Sequence, residues 1–372
     1  METDSCVTIH SDNSTVQPIF TFSKIKVYLM SAFLKFYAFS SAAIFTCFLI
    51  YWAYGGLLAF CLFSLTLWGI ISGVIYNMED FFLYFPEQPS HSRVFVALPS
   101  MHGLPYESIF IKSLDGTKIH MYFITQPDTK AKQETMTLVY LHGNAGNIGH
   151  RLHNVAGLHS MLKCNVLMVE YRGYGKSQGS PSEEGLCMDA MASIDYLRSR
   201  TDINHRRIVV FGRSLGGAVA IDLLARPEYS SKIWCLIVEN TFTSIPDMAL
   251  LLLKSKVLRK MPLFCFKNKF LSQWKIERVS NPTFFIVGLN DHLVPPSMMV
   301  KLHENSGSTM KQVVLFESGS HNDTWKCSGY YLTIQQFLLK ANEFLPPSPA
   351  LSSVSSPGPC SSNSSMSDIK CV

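Results

Sequence analysis

The chain has 372 residues, of which 47% are hydrophobic and 16% are charged, and its formal net charge is +5. This length allows one large domain or two ordinary ones, and the apolar residues concentrate near the N-terminus, which indicates a membrane segment. The basic residues are scattered, which argues against a nucleic-acid partner. The cysteines form no CxxC pair and no zinc-ligand spacing, and there is no dinucleotide fingerprint, so we expect neither a metal nor a cofactor.

The predicted membrane segment is the uncharged stretch 36–78, which follows a polar N-terminal tail at 1–35. It exceeds the roughly 20 residues that one helical span needs. Two interpretations fit this length: a single tilted helix with apolar flanks, or a helical hairpin that turns near Gly55 and Gly56. A cleaved signal peptide is not expected, because the apolar run is too long and begins too late in the chain.

The charges that flank this stretch predict its orientation. Lysines precede it, whereas Arg93 is the one arginine or lysine shortly after it. By the positive-inside rule, the N-terminus then lies in the cytosol. We favour the single span, which makes the protein type II and places the rest of the chain in the lumen or outside the cell. A hairpin would return the chain to the cytosol. A glycosylation acceptor pattern at Asn322 suits the lumenal side.

Residues 79–103 are expected to be a connector, and residues 104–345 a folded domain in which short apolar runs alternate with helical segments. Such near-continuous apolar runs are typical of strands that are buried on both faces in a parallel sheet. The alternation predicts an α/β fold. The expected strands are 137–141, 166–171, 207–211, 233–239, 283–287 and 312–316. The Ser- and Pro-rich end, 346–372, is predicted to be disordered.

Ser214 is the predicted nucleophile. It lies in GRSLG at 212–216, a GxSxG pattern that follows the strand at 207–211 and precedes an apolar helical run. This order of strand, tight turn and helix is that of a nucleophile elbow, in which both glycines are needed because the turn has no room for side chains. The helix that follows directs its positive N-terminal end at the hydroxyl group.

A second loop is predicted to bind the oxyanion of the reaction. The loop HGNAGN at 142–147 follows the first predicted strand. In a hydrolase with this elbow, one backbone N–H comes from the residue after the nucleophile, here Leu215, and another comes from this earlier loop. We place the second donor at Asn144, with Ala145 as the alternative.

A serine nucleophile needs a base, and the base needs a carboxylate that orients it. In this arrangement the chain order is Ser, acid, His. Asp291 follows the strand at 283–287, and His321 follows the strand at 312–316. The carboxyl ends of parallel strands meet at one edge of a sheet, so we assign Asp291 as the acid and His321 as the base.

Other residues compete for these roles. Glu239 ends a strand and is the alternative acid, whereas His292 and His303 are less well placed than His321. His142 precedes the nucleophile, which is the wrong order for the base, so we interpret it as a structural loop residue. The segment 171–177 ends in GKS but lacks the earlier glycine of a phosphate-binding loop, and we interpret it as a surface loop that borders the site.

Together these residues resemble the α/β-hydrolase superfamily, and specifically its bud-emergence group. The motifs that carry the resemblance are YFPEQPS at 84–90, HGNAGNIGHR at 142–151, YRGYGKS at 171–177, GRSLGGAVA at 212–220, VENTF at 238–242 and SHNDTW at 320–325. The resemblance covers about residues 78–340. It implies a mainly parallel eight-stranded sheet flanked by helices, preceded by a single-pass type II membrane segment, with no cofactor. Related members resemble S-acyl-protein thioesterases, and the group is also classed with serine peptidases.

The predicted function is hydrolysis of an acyl ester or thioester at a membrane, such as that of a palmitoylated protein. Residues 241–282 are too long for a plain connection between strands, so we expect a small lid there. Its apolar run precedes Lys254, Lys256, Arg259 and Lys260, a pattern suited either to rest on the bilayer or to pack as an ordinary lid helix. The expected partners are the lipid bilayer and an acylated lipid or protein substrate. The alternatives are a serine peptidase of the same fold and a catalytically idle membrane scaffold.

Overall fold

The structure, a computed structural model, describes residues 22–253 and 261–345. The strands are β1 (Tyr106–Lys112), β2 (Lys118–Ile124), β3 (Thr137–Leu141), β4 (Asn165–Glu170), β5 (Ile208–Arg213), β6 (Cys235–Glu239), β7 (Thr283–Gly288) and β8 (Lys311–Phe316). The α-helices are α1 (Phe22–Tyr54), α2 (Gly56–Leu83), α3 (Thr129–Glu134), α4 (Leu152–Leu162), α5 (Glu183–Ser199), α6 (Leu215–Leu224), α7 (Pro227–Ser230), α8 (Ile245–Leu253), α9 (Ser272–Lys275), α10 (Pro296–Asn305) and α11 (Tyr330–Ala341).

The eight strands form one sheet in the order β1-β2-β4-β3-β5-β6-β7-β8. β2 pairs antiparallel with β1 and with β4, and the remaining pairs are parallel. The predicted mainly parallel eight-stranded α/β fold is therefore confirmed. Every residue of β3 to β7 is buried, as expected for strands that are covered on both faces. β1 and β2 are not among the strands that apolar runs predict, and β1 is largely exposed because it lies at the sheet edge.

Helices cover both faces of the sheet and create two apolar cores. On one face, α5, α6 and α10 contribute side chains that include Leu186, Ile221 and Met298. On the other face, α4 and α11 contribute side chains that include Leu158 and Phe337. The carboxyl ends of the parallel strands between these cores all lie on the same side of the sheet. Loops that follow different strands therefore meet there.

The predicted membrane segment forms two helices, which meet at Gly55, where φ is 96°. α1 begins before the predicted stretch and α2 ends after it. Side chains that are less exposed than their neighbours recur every three or four residues along both helices, so the helices pack along a common seam. The seam residues are Phe36, Ser40, Ala43, Cys47 and Ile50 in α1 and Ala59, Phe63, Leu67 and Ile70 in α2. Among the described residues, Phe33–Tyr54 is long and apolar enough to cross a membrane, and Gly56–Ile70 is a shorter apolar stretch.

The remaining predicted segments are described only in part. The N-terminal tail is described from residue 22, and the Ser- and Pro-rich tail at 346–372 lies outside the described residues. The lid region 241–282 lies between β6 and β7 and contains α8 and α9. The four basic residues predicted to follow the apolar run of the lid fall within 254–260, which also lies outside the described residues.

Candidate active site

Ser214 occupies a strained turn between β5 and α6. Its φ is 55° and its ψ is −121°, a backbone conformation that residues other than glycine rarely adopt. A Cβ atom added to Gly212 would lie 2.3 Å from the carbonyl oxygen of Gly216, and one added to Gly216 would lie 2.1 Å from the carbonyl oxygen of Leu141. Because only glycine fits at both positions, the GxSxG pattern follows from the packing of this turn. The geometry is that of a nucleophile elbow.

The structure brings His321 and Asp291 to Ser214. The distance from Ser214 Oγ to His321 Nε2 is 3.0 Å, and the distance from His321 Nδ1 to Asp291 Oδ2 is 2.7 Å. The other carboxylate oxygen, Oδ1, accepts the backbone N–H groups of Leu293 and Val294, each at 2.9 Å. The Asp291 side chain is buried, and that of His321 is 13% exposed. An ionised carboxylate only accepts hydrogen bonds, so Nδ1 carries the imidazole proton and Nε2 faces the hydroxyl as an acceptor.

Asn240, which the sequence motifs do not single out, holds the acid loop and the base loop together. Its Nδ2 donates to the carbonyl oxygens of Ser320, at 3.2 Å, and His321, at 3.3 Å. Its Oδ1 accepts the N–H of Gly288 at 2.8 Å. The φ of Asn240 is 48°, a region that asparagine tolerates better than most residues. Asn240 directly follows β6, at the same ends of the strands as Ser214, and this position in the sequence is what could have identified it.

Glu239, the alternative acid, does not contact the imidazole of His321. Its carboxylate accepts a hydrogen bond from the hydroxyl of Tyr330, and burial raises the pKa of this glutamate. Its backbone carbonyl oxygen accepts the N–H of Ser214 at 2.9 Å. Glu239 therefore stabilises the elbow through its backbone, while Asp291 occupies the position beside the imidazole.

The other histidines also lie apart from this arrangement. His292 is exposed, and His303 packs its ring against Phe285 with 5.3 Å between ring centroids. His142 is fully buried, and its Nε2 lies 3.2 Å from Glu170 Oε1, as expected for a structural residue. Across residues 22–253 and 261–345, no group of three or more His, Cys, Asp or Glu side chains is arranged to hold a metal ion.

The loop that follows β3 lies against the nucleophile elbow. A Cβ atom added to Gly143 would lie 3.4 Å from the Cβ of Ser214. Leu215 is the first residue of α6, and the N–H groups of a helical first turn have no acceptor within the helix. The predicted oxyanion donors, Leu215 and Asn144, thus lie on two segments that meet at Ser214. Ala145, the alternative donor, is the next residue of the same loop.

Comparison with known proteins identifies relatives of this chain. Residues 137–277 match the family described as the alpha/beta hydrolase fold. The α/β-hydrolase domain-containing protein WAV2 of Arabidopsis thaliana is 39% identical over 73% of this chain and 91% of its own length. Protein bem46 of Schizosaccharomyces pombe is 37% identical over 74% of this chain and 90% of its own length.

The chain belongs to the α/β-hydrolase family.

Within this family, the hydrolase falls in the bud-emergence group that includes bem46. YNL320W of Saccharomyces cerevisiae, described as an uncharacterized membrane protein, is 32% identical over 77% of this chain and 95% of its own length. The solved structure of the esterase Pf2001 from Pyrococcus furiosus superimposes with a TM-score of 0.53 at 19% identity, over 66% of this chain and 94% of that one. At that identity the likeness concerns the fold alone. Family membership supports hydrolase activity, and the apolar N-terminal helix suggests membrane association.

Proposed function

We propose that this protein is a membrane-anchored serine hydrolase that cleaves an acyl ester or thioester through an acyl-enzyme on Ser214. One observation carries the proposal: a continuous hydrogen-bonded chain runs from Ser214 Oγ through the imidazole of His321 to Asp291, with distances of 3.0 Å and 2.7 Å. This chain of hydrogen bonds begins at Ser214, which lies in a strained elbow between Gly212 and Gly216. Nucleophile, base and orienting acid are the three groups that covalent acyl transfer needs.

In the acylation step, Ser214 Oγ attacks the acyl carbon while His321 Nε2 takes the hydroxyl proton. Asp291 keeps the imidazole oriented and stabilises the positive charge that forms on it. The backbone N–H groups of Leu215 and Asn144 bind the oxyanion of the tetrahedral intermediate, a term worth about 3–4 kcal/mol per donor in such sites. His321 then protonates the departing alcohol or thiol, and the acyl group stays on Ser214 as an ester.

In the deacylation step, water takes the place of the leaving group. His321 Nε2 removes a proton from water as its oxygen attacks the acyl-enzyme carbonyl, and the same backbone donors bind the second oxyanion. Collapse of this intermediate breaks the bond to Ser214 Oγ, which receives the proton back from His321. The products are a carboxylic acid and an alcohol or thiol, and no cofactor takes part.

The position of the lid supports the proposal that the substrate comes from the bilayer. Lys267 forms an ion pair with Asp80 near the end of α2, and its Nζ lies 5.8 Å from the centroid of the Tyr76 ring. The lid therefore lies beside the C-terminal end of α2, the end that leads into the hydrolase domain. Phe264, three residues earlier, is 72% exposed. An exposed aromatic side chain beside a membrane helix suits the bilayer interface, so we infer a lipid or lipidated protein substrate whose acyl chain lies in the membrane.

A fluorophosphonate probe tests the nucleophile directly. We expect the full-length protein in membranes to be labelled and to hydrolyse short-chain esters or S-acyl peptides. Ser214→Ala should lose labelling and hydrolysis to background, since residual catalysis without the nucleophile is smaller by about 10⁴-fold or more. Ser318→Ala is the matched control, because this exposed serine lies three residues from His321 and its hydroxyl lies 3.4 Å from Cys327 Sγ, away from Ser214.

The pattern of results separates the alternatives. Labelling of Ser214→Ala as strong as that of the wild type would overturn the assignment of the nucleophile. Wild-type cleavage of peptides without cleavage of acyl esters or thioesters would identify a peptidase. Neither labelling nor hydrolysis by the wild type would leave a membrane scaffold that keeps the hydrolase fold.

A further inference from the structure

The oxyanion loop is bonded to the end of the second N-terminal helix. Asn144 Nδ2 donates to the carbonyl oxygen of Leu83, the last residue of α2. Asn144 Oδ1 accepts the N–H of Phe85 at 3.3 Å and the hydroxyl of Tyr174 at 2.8 Å. Ala145, the next loop residue, pairs with Phe85 in a parallel β-bridge. The Asn144 side chain therefore uses both of its polar atoms to join this loop to residues 83–85.

The same end of α2 is fixed to the lid. The carboxylate of Glu79 accepts the backbone N–H groups of Lys267 and Asn268, each at 2.7 Å. The hydroxyl of Tyr84, a residue that is 4% exposed, donates to Asn268 Oδ1 at 2.7 Å. The end of α2 is thus held on two sides, by the lid and by the oxyanion loop, and it does not act as a free tether between anchor and domain.

We propose that Asn144 is a positioning residue, whose side chain uses the end of α2 to set the place of the oxyanion loop beside Ser214. The inference deepens the proposed function and rests on it. The donor to the oxyanion is a backbone N–H, which every substitution except proline keeps. The side chain decides where that N–H lies, and small displacements of an oxyanion donor are costly. The anchor helix is then a structural part of the active site.

Asn144→Ala in the full-length protein tests this role. The substitution keeps the backbone N–H but removes the hydrogen bonds to Leu83, Phe85 and Tyr174. We expect kcat for a short-chain 4-nitrophenyl ester to fall by about 10- to 100-fold, less than the 10²- to 10³-fold loss on removing a donor outright. KM should stay within about twofold, because ground-state binding does not use the oxyanion hole. Tyr174→Phe, which removes one of the three bonds, should give a smaller loss of kcat.

Asn165→Ala is the matched control. Asn165 is likewise an asparagine whose side chain joins two segments, since it accepts the N–H of Gln126 at 3.0 Å and donates to the carbonyl of Lys132 at 2.9 Å; it is fully buried, whereas Asn144 is partly buried. It is the first residue of β4, so it lies at the amino-terminal ends of the parallel strands, whereas the site lies at their carboxyl ends. We expect this variant to lose stability while its kcat stays within about twofold of the wild type. Equal losses of kcat in Asn144→Ala and Asn165→Ala, or no loss in Asn144→Ala, would overturn the positioning role.

Hydrogen–deuterium exchange gives a readout that does not depend on catalysis. We expect Asn144→Ala to speed amide exchange both in the loop 142–147 and at residues 83–86, because the two segments lose their shared bonds. Faster exchange in neither segment would overturn the coupling, even in a protein with normal activity. An inactive wild type with coupled exchange would instead refute the proposed function and, with it, the catalytic meaning of the coupling.

Discussion

At the residue scale, the site depends on how each carboxylate oxygen of Asp291 is used. Two backbone N–H groups, from Leu293 and Val294, bind Oδ1 and hold the carboxylate in one orientation. This leaves Oδ2 for His321 Nδ1, at 2.7 Å. The carboxylate thereby fixes the tautomer of the imidazole, because only a protonated Nδ1 can donate to it. The base is therefore set in the form that accepts a proton from Ser214.

Asp291→Asn is expected to lower kcat by about 10³- to 10⁴-fold with little change of KM, because an amide at this position no longer enforces the productive tautomer. Steady-state kinetics on an ester substrate measures the loss. Asp323→Asn is the control, since Asp323 lies two residues from His321 but is half exposed and pairs with Lys326 at 2.8 Å. A loss of kcat of less than tenfold in Asp291→Asn would contradict the assignment of Asp291 as the acid and would favour the alternative, Glu239.

At the scale of elements, the segment 171–177, which follows β4, is not the surface loop that the sequence predicts. Tyr171, Tyr174 and Ser177 are buried, and Arg172 is 6% exposed. The surface-loop interpretation is wrong, because the polar side chains of this segment form buried hydrogen bonds and its glycines lie where a side chain would not fit. Gly173 and Gly175 have positive φ, and a Cβ atom on Gly175 would collide with the carboxylate of Glu170.

Arg172 joins three elements through one buried guanidinium. It donates to Asp189 of α5 at 2.8 Å, to Asp115 in the β1–β2 turn at 2.6 Å and to Ser113 at 3.0 Å. The Asp189 side chain is fully buried. Hydrogen bonds from Arg172 lower the pKa of Asp115, so this carboxylate stays ionised in mild acid. The antiparallel edge of the sheet is thus tied to the parallel part by charge as well as by strand pairing.

Arg172→Met is expected to lower the free energy of unfolding by about 3–5 kcal/mol, because the buried carboxylate of Asp189 loses its partner. Denaturant unfolding of the full-length protein in detergent measures the change. Adding Asp189→Asn should restore part of the loss. The folded-state pKa of Asp115 is lowered, so its stabilisation is present above the unfolded pKa of about 3.9 and is lost as the pH falls further. The wild-type advantage should therefore shrink in acid, and a constant difference would refute this electrostatic explanation.

At the scale of the whole molecule, the two N-terminal helices bear on topology. Their common seam, from Phe36 to Ile50 in α1 and from Ala59 to Ile70 in α2, supports the hairpin interpretation of the apolar stretch. In a hairpin, the lysines in the first part of α1 and the hydrolase domain after α2 lie on the same side of the bilayer, which the positive-inside rule makes the cytosol. The single span through Phe33–Tyr54 remains the alternative, with the domain on the opposite side.

Protease protection in sealed microsomes distinguishes the two arrangements. For the hairpin, we expect added protease to digest the hydrolase domain without detergent and the exposed Asn322 to carry no glycan. A lumenal marker protein that survives the same treatment shows that the vesicles are closed. Protection of the domain, or an endoglycosidase-sensitive mass that Asn322→Gln removes, would establish the single span instead.

The sequence by itself determined the α/β alternation and the chain order of the site. Buried strands have a continuous apolar pattern, and the elbow needs its glycines, so both are visible in short windows of sequence. Asp291 and His321 could be assigned because each follows a predicted strand, and parallel strands deliver their ends to one edge. Whether those residues carry catalysis stays a prediction.

Only the tertiary structure decided the contacts between distant segments. The bonds from Asn144 to Leu83 and from Asn240 to the His321 loop join residues 61 and 81 positions apart, and no local pattern marks either pair. The edge strand β1 escaped prediction because its exposed pattern lacks an apolar run, and the buried Arg172 escaped because burial of a charge depends on partners elsewhere in the chain. Local propensity and periodicity specify elements, whereas packing specifies which polar side chains become buried and what they hold in place.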